Sequence, residues 1–297
     1  MRQIKMGSKL KDSQVGALLI LPGLAIFLAI ILYPFINSVA MSFTNKSMLK
    51  PESTFVGLDN YIKIITGPYF LDLIKNTFIF VFFATLIPFV FGFIWAVVLN
   101  QKFRGSEFLR GVTLVNWIIP GTCIGFLWMW IFNGEYGVLN GLLTNLNLID
   151  QNINWMGQRG TAMFAVIIAR SWQMLPWYMA FLIGGLQGVS FDQIEAARID
   201  GANNLLVFRK IVLPEMKSIV TLVLLLGTIG NLQHFDLPWV MAEGGPARAT
   251  TTLSIEVYRT AFKNWDMGLA ATVGTIWTVL LACFSFIYIR KQNKEED

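Results

Sequence analysis

Six stretches of this chain stay apolar for about the 20 residues that a helix needs to cross a bilayer core of about 30 Å. They lie near Val15–Ile36, Asn76–Leu99, Gly111–Phe132, Thr161–Ile183, Ile211–Phe235 and Met267–Ile289. Polar segments separate them. None shows the strict two-residue alternation of a half-buried strand, so the pattern predicts an all-α integral membrane protein with six transmembrane helices. The first stretch is too long for a cleaved signal peptide, and no small-residue cleavage site follows it. The expected organisation is a tail over residues 1–14, a six-helix membrane domain over 15–289 and a second tail over 290–297.

Charge orients these spans. With the N-terminus inside, segments 1–14, 100–110, 184–217 and 290–297 carry 14 Lys and Arg in 67 residues, and the intervening outside segments carry 8 in 98. Cytoplasmic loops hold the excess of positive charge in membrane proteins, so both termini are expected in the cytoplasm. The formal net charge of +5 then reads as topology and contact with anionic lipid, not as nucleic-acid binding. Trp117, Trp155, Trp239, Trp265 and Tyr288 sit near span ends, where amphipathic rings anchor to the interface.

Composition closes off other classes. Hydrophobic residues make up 55% and charged residues 14% of the 297, with a mean hydropathy of +0.58. A soluble monomer of this size needs more polar surface. His234 is the single histidine, and Cys123 and Cys283 lie in separate apolar segments, so no metal-ligand set is expected. No GxxxxGK[ST] loop occurs, so ATP is not bound by that device. Paired carboxylates for general acid–base chemistry are missing from the spans. Pro22, Pro34, Pro88, Pro120 and Pro176 fall within spans. Each removes a backbone hydrogen bond and kinks its helix, which suits a transporter better than a simple anchor.

The longest inside segment, 184–217, reads as two short helices. Ser190 followed by Gln193 forms a capping box that starts a helix at Phe191. Ile194, Ala197 and Gly201 fall on one face, and Ala196 and Ala197 make the helix thin. Gly201 ends it. Asn203 caps a second helix toward Arg209 and Lys210, and Pro214 opens the fifth span near its first turn. Such a helix either rests on lipid at the interface or plugs a groove in a cytoplasmic partner.

The spacing Glu195-Ala196-Ala197, three residues, Gly201, nine residues, Ile211, one residue, Leu213-Pro214 resembles the EAA loop of binding-protein-dependent ABC importer permeases. Leu186-Gln187 and Ile199-Asp200-Gly201-Ala202 resemble the sugar-importer branch. Gly244-Gly245-Pro246, Ala249-Thr250, Tyr258 and Ala261-Phe262 resemble the outside loop of the maltose-type, large-subunit permeases, and Phe55-Val56-Gly57-Leu58-Asp59-Asn60-Tyr61 matches the group. The sequence departs from the family at Ser190, where proline is usual, and at Ile194, where tyrosine is usual. It also lacks the large outside domain of the enterobacterial maltose subunit.

The resemblance implies the type I ABC importer permease fold in a bacterial cytoplasmic membrane. It implies a heterodimer with a second EAA-loop permease, two ATP-binding subunits beneath, and a solute-binding protein that delivers a sugar or oligosaccharide from outside. The chain is then no enzyme and binds no cofactor, because ATP and magnesium sit on the ATPase subunits. Glu195, Ala196, Ala197, Asp200, Gly201, Leu213 and Pro214 become the coupling loop. Glu195 pairs with a basic residue of the ATPase, and Gly201 permits the turn.

By motif offset, the fifth-span candidates for a solute cavity are Gly227, Gly230, Asn231 and His234, and the fourth-span candidates are Gln173, Met174 and Trp177. Sugar hydroxyls need amide-type partners, and apolar sugar faces stack on aromatic rings. Asn231 and Gln233 equally suit hydrogen bonds between helices, and His234 equally suits a helix cap. Arg170 lies in mid-span, where a charge faces a cavity or a partner. It either pairs with an acid of the second permease or binds the carboxylate or phosphate of an anionic sugar. The competing reading is an ion-coupled secondary sugar transporter, which needs mid-membrane acids; no Asp or Glu sits at mid-depth in the six spans.

Overall fold

A computed structural model describes residues 12–101 and 103–296. The tail up to residue 11, Lys102 and Asp297, which entered the charge reading or the tail assignments, lie outside the described residues. In chain order the helices are α1 (Asp12–Phe27), α2 (Tyr33–Met41), α3 (Asp59–Ile65), α4 (Phe70–Leu99), α5 (Ser106–Ile118), α6 (Gly121–Ile131), α7 (Val138–Asn145) and α8 (Arg159–Gln187). They continue with α9 (Phe191–Ile199), α10 (Asn204–Val207), α11 (Leu213–Glu215), α12 (Lys217–Leu232), α13 (Asp236–Ala242), α14 (Leu253–Tyr258) and α15 (Met267–Glu296). Among the described residues β pairing is limited to two isolated bridges.

Four helical stretches are long and apolar enough to cross a membrane: Leu18–Met41, Phe70–Leu99, Arg159–Gln187 and Met267–Phe286. Counting each of two bent helix pairs as one span brings the number to six. The spans therefore fall where the pattern put them, with two corrections. The third is not a kinked rod: α5 and α6 meet at 96° around Pro120, whose ring cannot continue the hydrogen-bond ladder. The fifth is likewise bent, by 66° between Glu215 and Lys217, and α12 is its longer straight part.

Prolines shape the chain in a second way. A five-residue π turn, Leu28–Leu32, ends two residues before Pro34, and another, Phe208–Val212, ends two residues before Pro214. In each, the residue before proline donates five residues back: Tyr33 to Leu28 and Leu213 to Phe208. Widening the turn removes the clash of the ring with the carbonyl four residues earlier. Pro88 and Pro176 sit inside the continuous helices α4 and α8.

The chain divides into two compact units. The first comprises residues up to Gly67 and 260–276. Buried Asn60 is its staple, donating to the carbonyls of Ser42 at 2.9 Å and Thr44 at 2.8 Å. Thr272 of α15 donates to the same Ser42 carbonyl. The membrane stretch of α1 and α2 buries none of its apolar side chains against described residues.

The second unit comprises residues 68–259 and 277 onward. Its centre is α4 packed along α8. One cluster joins Phe80, Ala84, Ile124, Phe132, Val166 and Leu237 across α4, α6, α8 and α13. Another joins Ala96, Tyr178, Leu182, Val207, Met216 and Val223 across α4, α8 and the elements that follow it. The helices cross closely at Gly92, where an added Cβ would lie 2.8 Å from the Tyr178 Cβ and 3.1 Å from the Leu175 carbonyl oxygen.

Candidate functional site

Two regions of the second unit carry the side chains with chemistry. The first is the loop between α8 and α12. Helix α9 begins at Phe191 as expected, but the Ser190 side chain makes no capping bond, which corrects the capping-box expectation. The Ser190 amide instead donates to Glu215 Oε2 at 3.2 Å, tying the start of the loop to its end. Asn203 does cap α10, accepting from the Leu206 amide at 2.9 Å.

Gly201 ends α9 in the left-handed region, with φ +85°. The Ala202 amide donates to the Ala197 carbonyl and the Gly201 amide to that of Arg198, the double closure of a glycine-terminated helix. Ile194, Ala197 and Ala202 turn inward and pack on the core that contains Val207 and Met216. The outward face carries Phe191, Glu195 and Ile199 at four-residue spacing, with Ala196 beside them. Phe191 is 67% and Ile199 82% exposed, and Glu195 makes no ion pair among the described residues. Asp200 and Gly201, with Lys210, line a cleft of about 400 Å³ between α9 and α10. Leu213 and Pro214 are exposed at the base of the fifth span. Phe191 and Ile199 were not singled out beforehand; their signal was two large apolar residues spaced like Glu195 on one helical stripe.

The second region is a polar knot among α4, α8 and α12. Arg170 is 7% exposed. Its Nε donates to Asn231 Oδ1 at 2.9 Å and its NH1 to Gln173 Oε1 at 2.7 Å. The Asn231 amide donates in turn to the Ala84 carbonyl at 2.9 Å and the Thr85 hydroxyl at 3.0 Å. One asparagine therefore ties three helices. Arg170 forms no ion pair with an acid among the described residues. The Asp236 carboxylate abuts Gly121 and lies 3.3 Å from His234 Nδ1. Burying a guanidinium is costly, and the two neutral amide acceptors offset part of that cost.

The other cavity candidates separate. Gly227 is buried where an added Cβ would strike the Tyr178 hydroxyl. Trp177 packs edge-on to Tyr178, with centroids 4.9 Å apart, and Met174 is half-buried against the same core. Gly230 faces open space with nothing within 4 Å of a built Cβ, and shares an exposed stripe with Leu226 and Gln233. His234 Nε2 is buried without a hydrogen-bond partner among the described residues. Thr85 joined the knot unannounced, since it does not share a span with Arg170. An aromatic cluster, Phe235, Trp239 and Tyr258, with centroids 4.6–5.6 Å apart, closes the end of this region. Among the described residues no group of three His, Cys, Asp or Glu could hold a metal ion.

Residues 88–293 match the model of the family described as binding-protein-dependent transport system inner membrane component. The chain is 31% identical to the trehalose/maltose transport system permease protein MalF of Thermococcus litoralis, with 95% of each chain covered. It is 29% identical to the diacetylchitobiose uptake system permease protein NgcF of Streptomyces coelicolor, over 88% of this chain and 77% of that protein. In fold it is similar to a chain of a bacterial ABC transporter involved in the import of the acidic polysaccharide alginate. That match has a TM-score of 0.82 and 18% identity, over 95% of this chain and 96% of the other.

Proposed function

The chain belongs to the binding-protein-dependent transport system inner membrane component family, and on that premise we propose that it is the membrane-spanning permease subunit of an ATP-driven importer for a sugar or oligosaccharide. It acts in the cytoplasmic membrane with both termini inside. Its partners are a second permease with the same kind of loop, two ATP-binding subunits and an extracytoplasmic solute-binding protein. The relatives named for trehalose/maltose and diacetylchitobiose transport support a saccharide solute. ATP and magnesium belong to the ATPase subunits, and this chain contributes no catalytic group.

The observation that carries this reading is the outward face of α9. A short helix whose other side is fixed to the protein core presents Phe191, Glu195 and Ile199 with nothing to cover them. That is the form of a helix-in-groove contact: apolar anchors for the groove and one carboxylate for a basic partner residue. Through α10, α11 and the turn at Glu215 the loop leads into α12, which carries Gly227, Gly230 and Asn231, with His234 just beyond its end. Closure of the ATPase dimer moves α9 as a rigid body with the core it is packed on. The equilibrium between inward- and outward-open states then shifts by the differential contact made in each. Solute passes along the open stripe of Leu226, Gly230 and Gln233, with Gln173, Met174, Trp177 and Gly227 in the wall behind. The Arg170–Asn231 knot holds that wall together.

The test is uptake of neutral and anionic saccharides in a strain deleted for this chain, with and without ATP depletion. Loss of one ATP-dependent uptake is expected. Uptake that survives ATP depletion and collapses with the proton gradient would overturn the reading in favour of ion coupling.

A further inference from the structure

At the end of α4 and α8 remote from the 184–217 loop, the two helices open into a cleft of about 490 Å³. Its floor is apolar on both sides. Ile79, Phe83 and Ile87 follow one another down α4 at four-residue spacing, and Met163, Phe164 and Ile167 face them from α8. Its mouth is charged. Lys75 continues the α4 stripe by one turn, and Arg159 is the first residue of α8. Both are exposed, and neither makes an ion pair among the described residues.

Asp72 is the third charged group of the mouth, also exposed and unpaired, so the three together leave one positive charge. Arg248, beside the Ala249 of the cleft wall, is neutralised by Glu256 at 2.6 Å, and the Asn76 amide is committed to the Arg248 carbonyl. Lys75 and Ile87 are twelve residues apart, or about 18 Å along a helix. One leaflet of hydrocarbon is roughly 15 Å deep. The groove therefore has the length of one acyl chain, with net positive charge at the level of the headgroups.

We propose that this cleft is a binding site for an anionic phospholipid, with its phosphate at Lys75 and Arg159 and one acyl chain along the floor. An apolar helix of a second subunit would cover the floor equally well. It would bring no charge to the two cations at the mouth, whereas a phosphate complements their net positive charge. The site lies apart from both the coupling loop and the solute stripe, and the importer reading is not needed for it.

The test uses the assembled membrane complex in nanodiscs of phosphatidylglycerol mixed with phosphatidylcholine, with retained lipid read by native mass spectrometry. The wild type is expected to retain phosphatidylglycerol. The double variant Lys75→Gln/Arg159→Gln should weaken that retention about thirtyfold, at roughly fivefold per basic residue near an anionic surface. Gly160→Phe should abolish it without changing charge; a Cβ at Gly160, in the cleft wall, meets nothing within 4 Å, so the plug does not disturb the helix. Unchanged retention in both variants overturns the proposal. So does loss in the charge variant alone, which places the lipid on the surface rather than in the cleft. A photo-crosslink from position 164 to a second permease rather than to lipid also overturns it.

Discussion

Asn231→Leu is the sharpest perturbation of the polar knot. It removes the acceptor of a buried, charge-assisted hydrogen bond from Arg170, and two donor bonds to the Ala84 carbonyl and Thr85. The first is worth about 2 kcal/mol, and each of the others about 0.6 kcal/mol, the average between membrane helices. The expected loss is therefore about 3 kcal/mol. Arg170→Met should cost a similar amount, because it strands Asn231 and Gln173. The double variant Arg170→Met/Asn231→Leu loses the shared Arg170–Asn231 bond once rather than twice, so it should cost about 4 kcal/mol where independent losses would sum to about 6. A coupling of about 2 kcal/mol should appear in the cycle. Equilibrium unfolding of the permease in mixed micelles, followed by the fluorescence of its ten tryptophans, measures all four corners. Single losses that add within about 0.5 kcal/mol, the range for independent sites, would refute the knot.

The glycines of the α4–α8–α12 packing divide by the space around them. Gly92→Ala should destabilise by about 1–3 kcal/mol through overpacking against Tyr178 and the Leu175 carbonyl, and Gly227→Ala should behave alike. Gly230→Ala should leave unfolding unchanged and alter uptake kinetics if that face lines the path. Gly201→Val forces a β-branched residue to φ +85° and should cost about 1–2 kcal/mol locally, uncoupling ATP hydrolysis from uptake in reconstituted vesicles; normal coupling would count against the loop's role. Phe191→Ser/Ile199→Ser should fold with wild-type stability, since both side chains are exposed, yet fail to co-purify the ATPase subunits. Retained co-purification would remove α9 as the docking face.

The order and approximate placement of the spans were legible in the sequence because long apolar runs have few alternatives in a bilayer. The α9 boundary at Phe191, the cap at Asn203 and the stop at Gly201 were legible for a similar reason: capping and left-handed glycine are local events decided by neighbours in the chain. At Ser190 the residue type was right but the side chain makes no cap, and the backbone amide that Gln193 would have accepted from donates instead to Glu215, twenty-five residues away. Pro120 announced a kink, but nothing local fixes whether a proline bends a helix slightly or breaks it by 96°; the packing of α6 on α13 and α8 decides that.

The sequence offered Asn231 as a hydrogen bond between helices but not which groups it would join. Arg170 read alone needed a substrate or a second subunit, because its own span offers no acid. Folding brings Asn231 from sixty-one residues away, with the Ala84 carbonyl and Thr85 of α4 behind it. The EAA-type spacing likewise marked which residues form the coupling loop but not which side of it faces out. Ile194 and Ala197 are held inward by the core around Val207 and Met216, and that burial leaves Phe191, Glu195 and Ile199 for a partner. Sequence determined the elements, since backbone hydrogen bonding and hydropathy act within a few residues. Tertiary structure alone decided which polar groups are satisfied and which remain free to act, because that depends on contacts between helices far apart in the chain.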